Sequence, residues 1–151
     1  MDPVSLFLDF KEFLKLLNSA EVRYLVLGGY AVNYYGYHRT TGDLDIWIAV
    51  DEENARRVST VMQQFGFSAQ SVPPDQFLER GKVFRMGRPP VRIELLTDPS
   101  GVDFEACYSR RIIGELDGVP VSLIALPDLK VNKRASNRSK DLVDLENLPE
   151  Q

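Results

Sequence analysis

Two aspartates, Asp43 and Asp45, stand one residue apart in an apolar stretch of the chain. Successive side chains of a β-strand point to opposite faces, so both carboxylates are predicted to share one face while Leu44 and Ile46 face the core. Two adjacent carboxylates repel each other unless a cation lies between them, and hard divalent metals take such oxygen ligands. The spacing therefore predicts a metal site, although two solvated aspartates at an exposed edge would give the same pattern.

A glycine pair upstream favours the metal interpretation. Residues 23–27 are rich in β-favouring side chains and predict a buried strand that ends at Gly28 and Gly29. Residues 30–37 predict a short helix that starts at this turn. Free backbone N–H groups at a helix start, together with the close approach that glycine permits, are suited to binding phosphate. The turn and the acidic strand together predict a metal–phosphate site.

A third carboxylate, Glu94, interrupts an otherwise apolar strand-like segment in a predicted hairpin. An acid buried without a partner is costly, so its presence needs an explanation. Glu94 either forms a surface salt bridge with Arg92 or Arg85 or completes the metal site, and the upstream motifs favour the second explanation. Asp98 and Asp103, in a turn region, are the fallback candidates for the third ligand.

These motifs resemble the signature of the polymerase-β-like nucleotidyltransferase superfamily. That signature is a glycine pair, a short spacer, an acid-apolar-acid strand and a third acid in a later strand. In this chain thirteen residues separate Gly28-Gly29 from Asp43-Leu44-Asp45-Ile46. Over most of its length the chain resembles short bacterial members related to abortive-infection and minimal toxin–antitoxin nucleotidyltransferases. Family members more often carry aspartate where this chain has Glu94.

A further run typical of the short transferases, Arg-x-Thr-x-Asp-x-Asp, is matched by Arg39, Thr41, Asp43 and Asp45. The Arg39 guanidinium, just before the acidic strand, is placed to reach a phosphate or to brace Asp43. Relatives also end in a Lys…Arg-x-Lys-Asp…Asp run. The matching residues here are Lys133, Arg138, Lys140, Asp141 and Asp144.

The C-terminal basic run supplies more candidates for phosphate contact. One helix is predicted to open at Pro127-Asp128, with Asp128 as its cap. Five basic residues and no acid lie between positions 130 and 140, and acids follow. Within one helix this order reverses the one that suits the helix dipole. The reversal favours ligand contact over a solvated face, above all for Lys133 and then for Arg138.

The remaining patterns predict an α/β fold. Residues 6–17 and 51–65 have the apolar spacing of helices, and Gly66 is expected to close the second one. An Asp117-Gly118 turn predicts a late hairpin, in which Pro120 is expected to place its strand at a sheet edge. The resemblance implies a nucleotidyltransferase core, with a small mixed, partly antiparallel sheet flanked by helices. We expect one such domain over the whole chain.

Composition limits the class of protein. The chain has 151 residues, of which 44% are hydrophobic and 26% charged, as in ordinary globular domains. A net charge of −4 argues against a general nucleic-acid coating role, although a local basic patch remains compatible with it. The one cysteine, Cys107, allows no internal disulfide and fits a reducing compartment. No apolar run is long enough to cross a membrane, so we expect a cytoplasmic protein without membrane contact.

The resemblance implies a nucleotidyltransferase that uses Mg²⁺ or Mn²⁺. It would move a nucleoside monophosphate from a nucleoside triphosphate to an acceptor hydroxyl or phosphate, releasing pyrophosphate. RNA such as tRNA, a protein and a small molecule are all compatible acceptors, and a toxin–antitoxin partner is implied as well. The expected catalytic and metal-binding residues are Asp43, Asp45 and Glu94. The expected nucleotide-binding residues are Gly28, Gly29, Arg39, Thr41, Lys133 and Arg138.

Three other functions compete with this prediction. The chain could be an inactive nucleotide-binding partner in a toxin–antitoxin pair, although the intact Asp43, Asp45 and Glu94 weigh against lost chemistry. A glycosyltransferase also uses Asp-x-Asp to bind a metal–diphosphate, but such enzymes are usually larger and need a sugar-binding half. A purely structural adaptor leaves the three acids unexplained.

Overall fold

A six-stranded mixed sheet with helices packed on it forms the fold in the computed structural model, which describes residues 6–150. The predicted α/β class is confirmed. The helices are α1 (Leu8–Ser19), α2 (Gly28–Tyr34), α3 (Glu52–Phe65), α4 (Phe104–Ser109), α5 (Leu126–Ser136) and α6 (Ser139–Asn147). The strands are β1 (Tyr24–Leu27), β2 (Asp43–Ile48), β3 (Val83–Arg88), β4 (Val91–Leu96), β5 (Ile112–Leu116) and β6 (Val119–Leu123).

The strand order is β3-β4-β2-β1-β6-β5, with two parallel pairings, β2 with β4 and β1 with β6. The β2–β4 pairing sets Asp43 beside Arg92 and Asp45 beside Glu94. Residues paired in register project to the same face of a sheet. This register therefore brings residues from two distant parts of the chain to one face.

The opposite face of β2 lies in the hydrophobic core. Leu44, Ile46 and Ile48 are fully buried, as the alternation of the sequence predicts. Full burial of a side chain of this size contributes about 1.5–3 kcal/mol. Helix α1 packs against α3 and β6, and its Phe10 and Phe13 are also fully buried. The core thus fixes β2 in the one orientation that projects both aspartates away from it.

Helix boundaries follow the sequence in two places and depart from it in one. Helix α3 has Asp51 as its cap, whose side chain accepts from the Asn54 N–H, and it ends at Gly66 with φ of 125°. The cap satisfies a backbone donor that the helix itself leaves free. Helix α2 instead begins at Gly28, two residues before the predicted start, and ends at Tyr34. The glycine pair is therefore the first part of the helix and not a turn before it.

The prediction that Pro120 lies on an edge strand is wrong. Strand β6 lies between β1 and β5, and β5 is the edge. Proline is tolerated because β1 pairs with β6 only around Val26 and Leu123, so the missing N–H has no strand to meet. The Pro120 carbonyl instead accepts a hydrogen bond of 2.7 Å from the Asn18 side chain.

The single C-terminal helix is a second wrong prediction, because the segment folds as α5 and α6. Asn137 adopts a left-handed conformation, with φ of 54°, and ends α5. Lys133 then lies in the last turn of α5, and Asp141 lies in the first turn of α6. Both positions suit the helix dipoles, although Lys140 in the first turn of α6 and Asp144 in its second half keep the reversed order within that helix. Nor is Asp128 a cap: α5 starts after Ala125 without a side-chain cap, and Asp128 pairs with Arg110.

Two features noted in the sequence, the single cysteine and the length of apolar runs, can be compared with the structure. Cys107 is buried, and burial raises the pKa of its thiol to about 11, which keeps it protonated at neutral pH. This agrees with a packed thiol. None of the helices within residues 6–150 is long and apolar enough to cross a membrane.

Candidate active site

Three carboxylates converge on one face of the sheet, at the start of α2. One oxygen from each of Asp43, Asp45 and Glu94 lies within 4.8 Å of the other two. The first two come from alternate positions of β2, and Glu94 is brought alongside by the parallel pairing with β4. A group of oxygen ligands at this separation is able to hold a divalent cation. The three carboxylates converge as the sequence predicted.

Asp45 is the most perturbed of the three. Burial first of all, and then the charges of Glu94 and Asp43, raise its pKa to about 7, against opposing effects of Lys140 and Lys133. Its Oδ1 is buried and has no hydrogen-bond partner within residues 6–150. A buried oxygen without a partner is costly, and a bound cation would satisfy it. The unpartnered atom thus fits a metal ligand.

The geometry around Glu94 is compatible with both of its explanations, a salt bridge with arginine and a ligand of a metal site. Its Oε1 lies 3.3 Å from Arg85 Nε and 3.3 Å from Arg92 Nη2, and the same carboxylate belongs to the acidic group. Arg92 also binds Asp43 with both ends of its guanidinium, at 3.1 Å and 2.9 Å. These bonds lower the pKa of Asp43, so this carboxylate is charged at neutral pH. Arginine thus orients two of the three acids from the side.

The glycine pair allows the acidic strand to lie directly against α2. A Cβ on Gly28 would collide with the Asp45 carboxylate, and one on Gly29 would collide with the Thr41 hydroxyl. Gly28 also has φ of 69°, a conformation that favours glycine. Close packing of Asp45 and Thr41 on the helix therefore requires both glycines, whatever ligand the site binds.

A cavity of about 470 Å³ opens above the carboxylates. All of the residues that the sequence nominated for catalysis, metal binding and nucleotide binding line it. Its basic lining residues are Arg39, Arg85, Arg92, Lys133, Arg138 and Lys140. The lining contains three carboxylates against these six cations, and the buried Asp141 and Asp144 pair with three of the cations, so a small excess of positive charge remains in a chain whose net charge is −4. Such a cavity attracts an anion.

Two buried carboxylates of α6 hold three of these cations in place. Asp144 accepts from Arg39 Nε and Nη2, at 2.7 Å and 2.9 Å, and lies 2.9 Å from Lys133 Nζ. Asp141 lies 3.2 Å from Lys133 Nζ and 2.9 Å from Arg138 Nε. Burial by itself would raise the pKa of Asp141, but bonds from Arg138 bring it down to about 2. One short helix thereby organises a whole wall of the cavity.

Lys133, the basic residue for which the sequence most favoured ligand contact, is buried. Its side chain is only 4% exposed and lies between Asp141 and Asp144. Arg39 and Arg138, whose side chains are 24% and 59% exposed, are more accessible from the cavity. Lys133 lines the cavity but is bound to both carboxylates, so it also contributes to folding.

Sequence reasoning considered Arg92 and Arg85 only as partners for Glu94, and it gave Lys140 no separate function. The signal for Arg92 was present, since it stands two residues before Glu94 and so shares its face. Arg85 could be placed only once the β3–β4 register was known, because this register pairs it with Glu94.

Comparison with known proteins bears on the fold. No protein-family model and no curated protein sequence matches this chain. A crystal structure of an antigenic nucleotidyltransferase-like protein from Paracoccidioides brasiliensis is similar over 96% of this chain and 77% of that chain. The TM-score is 0.52 and the sequence identity is 20%. At this identity the similarity shows the fold alone, which is nucleotidyltransferase-like.

Proposed function

We propose that this chain is a metal-dependent nucleotidyltransferase. It transfers a nucleoside monophosphate from a nucleoside triphosphate to a hydroxyl or phosphate of an acceptor and releases pyrophosphate. The observation that carries the proposal is the group of three carboxylates within 4.8 Å of one another, in the wall of a cavity lined by six cations. A cation and a polyphosphate together complement this distribution of charge, whereas either one alone does not.

Asp43, Asp45 and Glu94 would hold the metal. Ligands that are all carboxylate oxygens suit Mg²⁺ or Mn²⁺, and the unpartnered Asp45 Oδ1 is the atom that most needs a cation. When bound, the metal neutralises phosphate charge and stabilises the charge that develops on the reacting oxygens. Arg92 keeps Asp43 charged and oriented for this purpose.

The phosphates would lie among the cations of the larger cavity. Arg138 has an exposed guanidinium group and Arg39 a partly buried one, and guanidinium groups suit phosphate oxygens. Gly28 and Gly29 let the phosphates approach the backbone, and Thr41 offers a hydroxyl beside them. Lys133 contributes charge from behind, held by the α6 carboxylates.

The transfer step balances without any further reactant. An acceptor oxygen forms a bond to the α-phosphorus while the bond from that phosphorus to the pyrophosphate oxygen breaks on the opposite side. The acceptor proton passes to a Glu94 oxygen and then to solvent. In such reactions the protein acts chiefly by positioning the reactants and neutralising charge.

The decisive experiment uses nucleoside triphosphates labelled at the α-phosphate. The protein, Mg²⁺ and a cell extract are incubated with each nucleotide, and the labelled RNA, protein and small-molecule fractions are separated. We expect one fraction to become labelled, and Asp43→Asn or Asp45→Asn to abolish the labelling. Asp98→Asn, an exposed aspartate outside the larger cavity, is the matched control and should be fully active. Equal labelling by the wild type and the two β2 variants would refute the assignment.

The same experiment addresses the inactive-partner hypothesis. A wild-type protein that binds a nucleoside triphosphate but labels none of the three fractions would replace the proposed enzyme with a nucleotide-binding partner. If labelling does occur, the labelled fraction identifies the acceptor as tRNA or other RNA, a protein or a small molecule. Extract from cells that contain the toxin–antitoxin partner, if there is one, would then show whether that partner is the acceptor.

A further inference from the structure

A second, smaller cavity of about 240 Å³ shares part of its lining with the first. Five residues line both cavities: Gly28, Asp45, Glu94, Lys133 and Arg138. Asp45 and Glu94 therefore belong to the wall that the two cavities share. A ligand that extended from one cavity into the other would pass directly over the two acids.

The residues that line only one of the two cavities differ in charge, while the shared Asp45, Glu94, Lys133 and Arg138 contribute two acids and two cations to both. The groups found only in the larger cavity include Arg39, Arg85, Arg92 and Lys140. The groups found only in the smaller cavity are uncharged, and three of them offer hydrogen bonds. The six residues that line only the smaller cavity are Leu27, Leu96, Pro99, Ser100, Asn132 and Ser136. The smaller cavity is thus suited to a neutral group with hydroxyls.

A nucleoside triphosphate likewise consists of a charged part and a neutral part. Its phosphates carry the charge, its sugar is neutral and rich in hydroxyls, and the α-phosphate joins the two parts. We propose that the smaller cavity binds the sugar of the nucleoside triphosphate while the phosphates occupy the larger one. This inference rests on the proposed function, because it takes the metal-holding carboxylates as the position of the α-phosphate.

Asn132 is the residue that would recognise the sugar. It lies on α5, is 9% exposed, and donates from its amide nitrogen to the Ser100 carbonyl at 2.9 Å. That bond fixes the amide group and leaves its oxygen as the acceptor for a ligand hydroxyl. Fixing the group before the ligand binds reduces the entropy lost on binding.

The sugar fits this cavity better than the base does. Among the described residues no aromatic side chain lines the smaller cavity, so it offers no surface on which a base could stack. The sugar also follows directly after the α-phosphate, so it must lie beside the carboxylates. An acceptor molecule would need the same space, and the experiment below separates the two occupants.

The test is calorimetry in the presence of Mg²⁺ with three ligands. The first is whichever of the four common ribonucleoside triphosphates binds most tightly, the second is its 2′,3′-dideoxy analogue, and the third is inorganic tripolyphosphate. The protein variant is Asn132→Leu, which keeps the size of the side chain and removes the amide. The control is Asn147→Leu, an exposed asparagine on α6 that lines neither cavity.

We expect wild type to bind the ribonucleotide more tightly than the other two ligands. Asn132→Leu should weaken ribonucleotide binding about three- to tenfold, the effect of losing a neutral hydrogen bond, and leave the other two affinities unchanged. Asn147→Leu should change none of them. Ser100→Leu provides a second variant that does not depend on a buried position, because Ser100 is exposed at the cavity. Its larger side chain should narrow the cavity and weaken binding of both nucleotides without affecting tripolyphosphate.

Three results would overturn the sugar assignment and leave the proposed function standing. Asn132→Leu and Ser100→Leu could leave all three affinities as in wild type. Asn132→Leu could weaken all three equally, which would mean that it acts on the phosphate cavity. The variants could also leave nucleotide binding intact and reduce only transfer, which would assign the cavity to the acceptor. Failure of wild type to bind any of the three ligands would instead refute the proposed function itself.

Discussion

Asp45 holds a charge that the apo protein does not favour. Its carboxylate is half-buried beside Glu94 and Asp43, and its buried Oδ1 has no partner within the described residues. The pKa of about 7 means that the fold prefers the protonated form, whereas the ordinary value is 3.8. The contribution of Asp45 to the free energy of unfolding is therefore complete only below about pH 4, and it is lost as the pH rises towards 7.

Asp45→Asn should stabilise the apo protein, and more so at high pH. The asparagine never becomes charged, so the variant does not lose stability as Asp45 ionises in wild type. The difference between the free energies of unfolding of the variant and of wild type should therefore be about 2–3 kcal/mol larger at pH 8 than at pH 5. Urea denaturation at the two pH values measures it. Asp98→Asn, at an exposed aspartate, is the control and should show no such dependence. A difference between Asp45→Asn and wild type that is the same at both pH values would show that Asp45 ionises normally.

The glycine pair gives a second prediction at the residue scale. Gly29→Ala places a Cβ against the Thr41 side chain, so the protein should lose about 1–3 kcal/mol of stability. Gly42→Ala, in the lining of the same cavity, is the matched control, because a Cβ there meets nothing within 4 Å. Denaturant midpoints of the two variants decide the matter. Equal midpoints would mean that Thr41 moves aside and that the pair is present for the ligand alone.

At the scale of elements, the α5–α6 corner organises the site. Asn137 turns the chain so that α6 returns to α5, and this return brings Asp141 and Asp144 to Lys133. Removing one partner of a buried ion pair leaves an uncompensated charge, which is more costly than losing the attraction. Lys133 therefore differs in kind from the exposed cations of the same cavity.

Lys133→Ala should destabilise the protein by about 3–5 kcal/mol, because two buried carboxylates lose a shared partner. Lys133 thus has a structural function in addition to the ligand contact that the sequence favoured. Lys140→Ala is the control: it lines the same cavity from an exposed position and should change stability by less than about 0.5 kcal/mol. Thermal melts give the stabilities, and calorimetry with tripolyphosphate gives the affinities. A Lys133→Ala protein as stable as Lys140→Ala would show that the buried pairing contributes nothing.

At the scale of the whole molecule, an acidic chain contains one strongly basic cavity. Although the net charge of the chain is −4, six cationic and three acidic side chains line this cavity. In the apo protein the cations repel one another, and so do the acids. A ligand that binds only the folded state stabilises it according to its concentration and affinity. Metal and polyphosphate should therefore stabilise the fold more in combination than separately.

Mg²⁺ with tripolyphosphate should raise the melting temperature. At a ligand concentration of one hundred times Kd, the gain is about 2.7 kcal/mol, or roughly 5–10 °C for a domain of this size. EDTA should remove most of the shift, and potassium chloride of equal ionic strength should not produce it. The double variant Asp43→Asn with Asp45→Asn should lack the metal-dependent part. The same metal-dependent shift in that variant would place the metal elsewhere.

The sequence by itself determined the features that depend on short stretches of backbone. The alternation of residues 43–48 placed both aspartates on one face and three aliphatic side chains in the core, because strand geometry repeats every two residues. Asp51 and Gly66 marked the ends of α3 for similarly local reasons. The α/β class followed from such elements together with the resemblance, and the structure confirms it.

The tertiary structure decided which distant charges meet. The parallel register of β2 and β4 set Arg92 beside Asp43 and Glu94 beside Asp45, and the sequence contained no rule for that register. The left-handed Asn137 made two helices from an apparent single one and so placed Lys133 in a buried ion pair with Asp141 and Asp144. Helix and strand periodicities constrain neighbours over only a few residues. The pairing of charges far apart in the chain depends instead on where the chain turns and how its strands align, which the packing of the whole core determines.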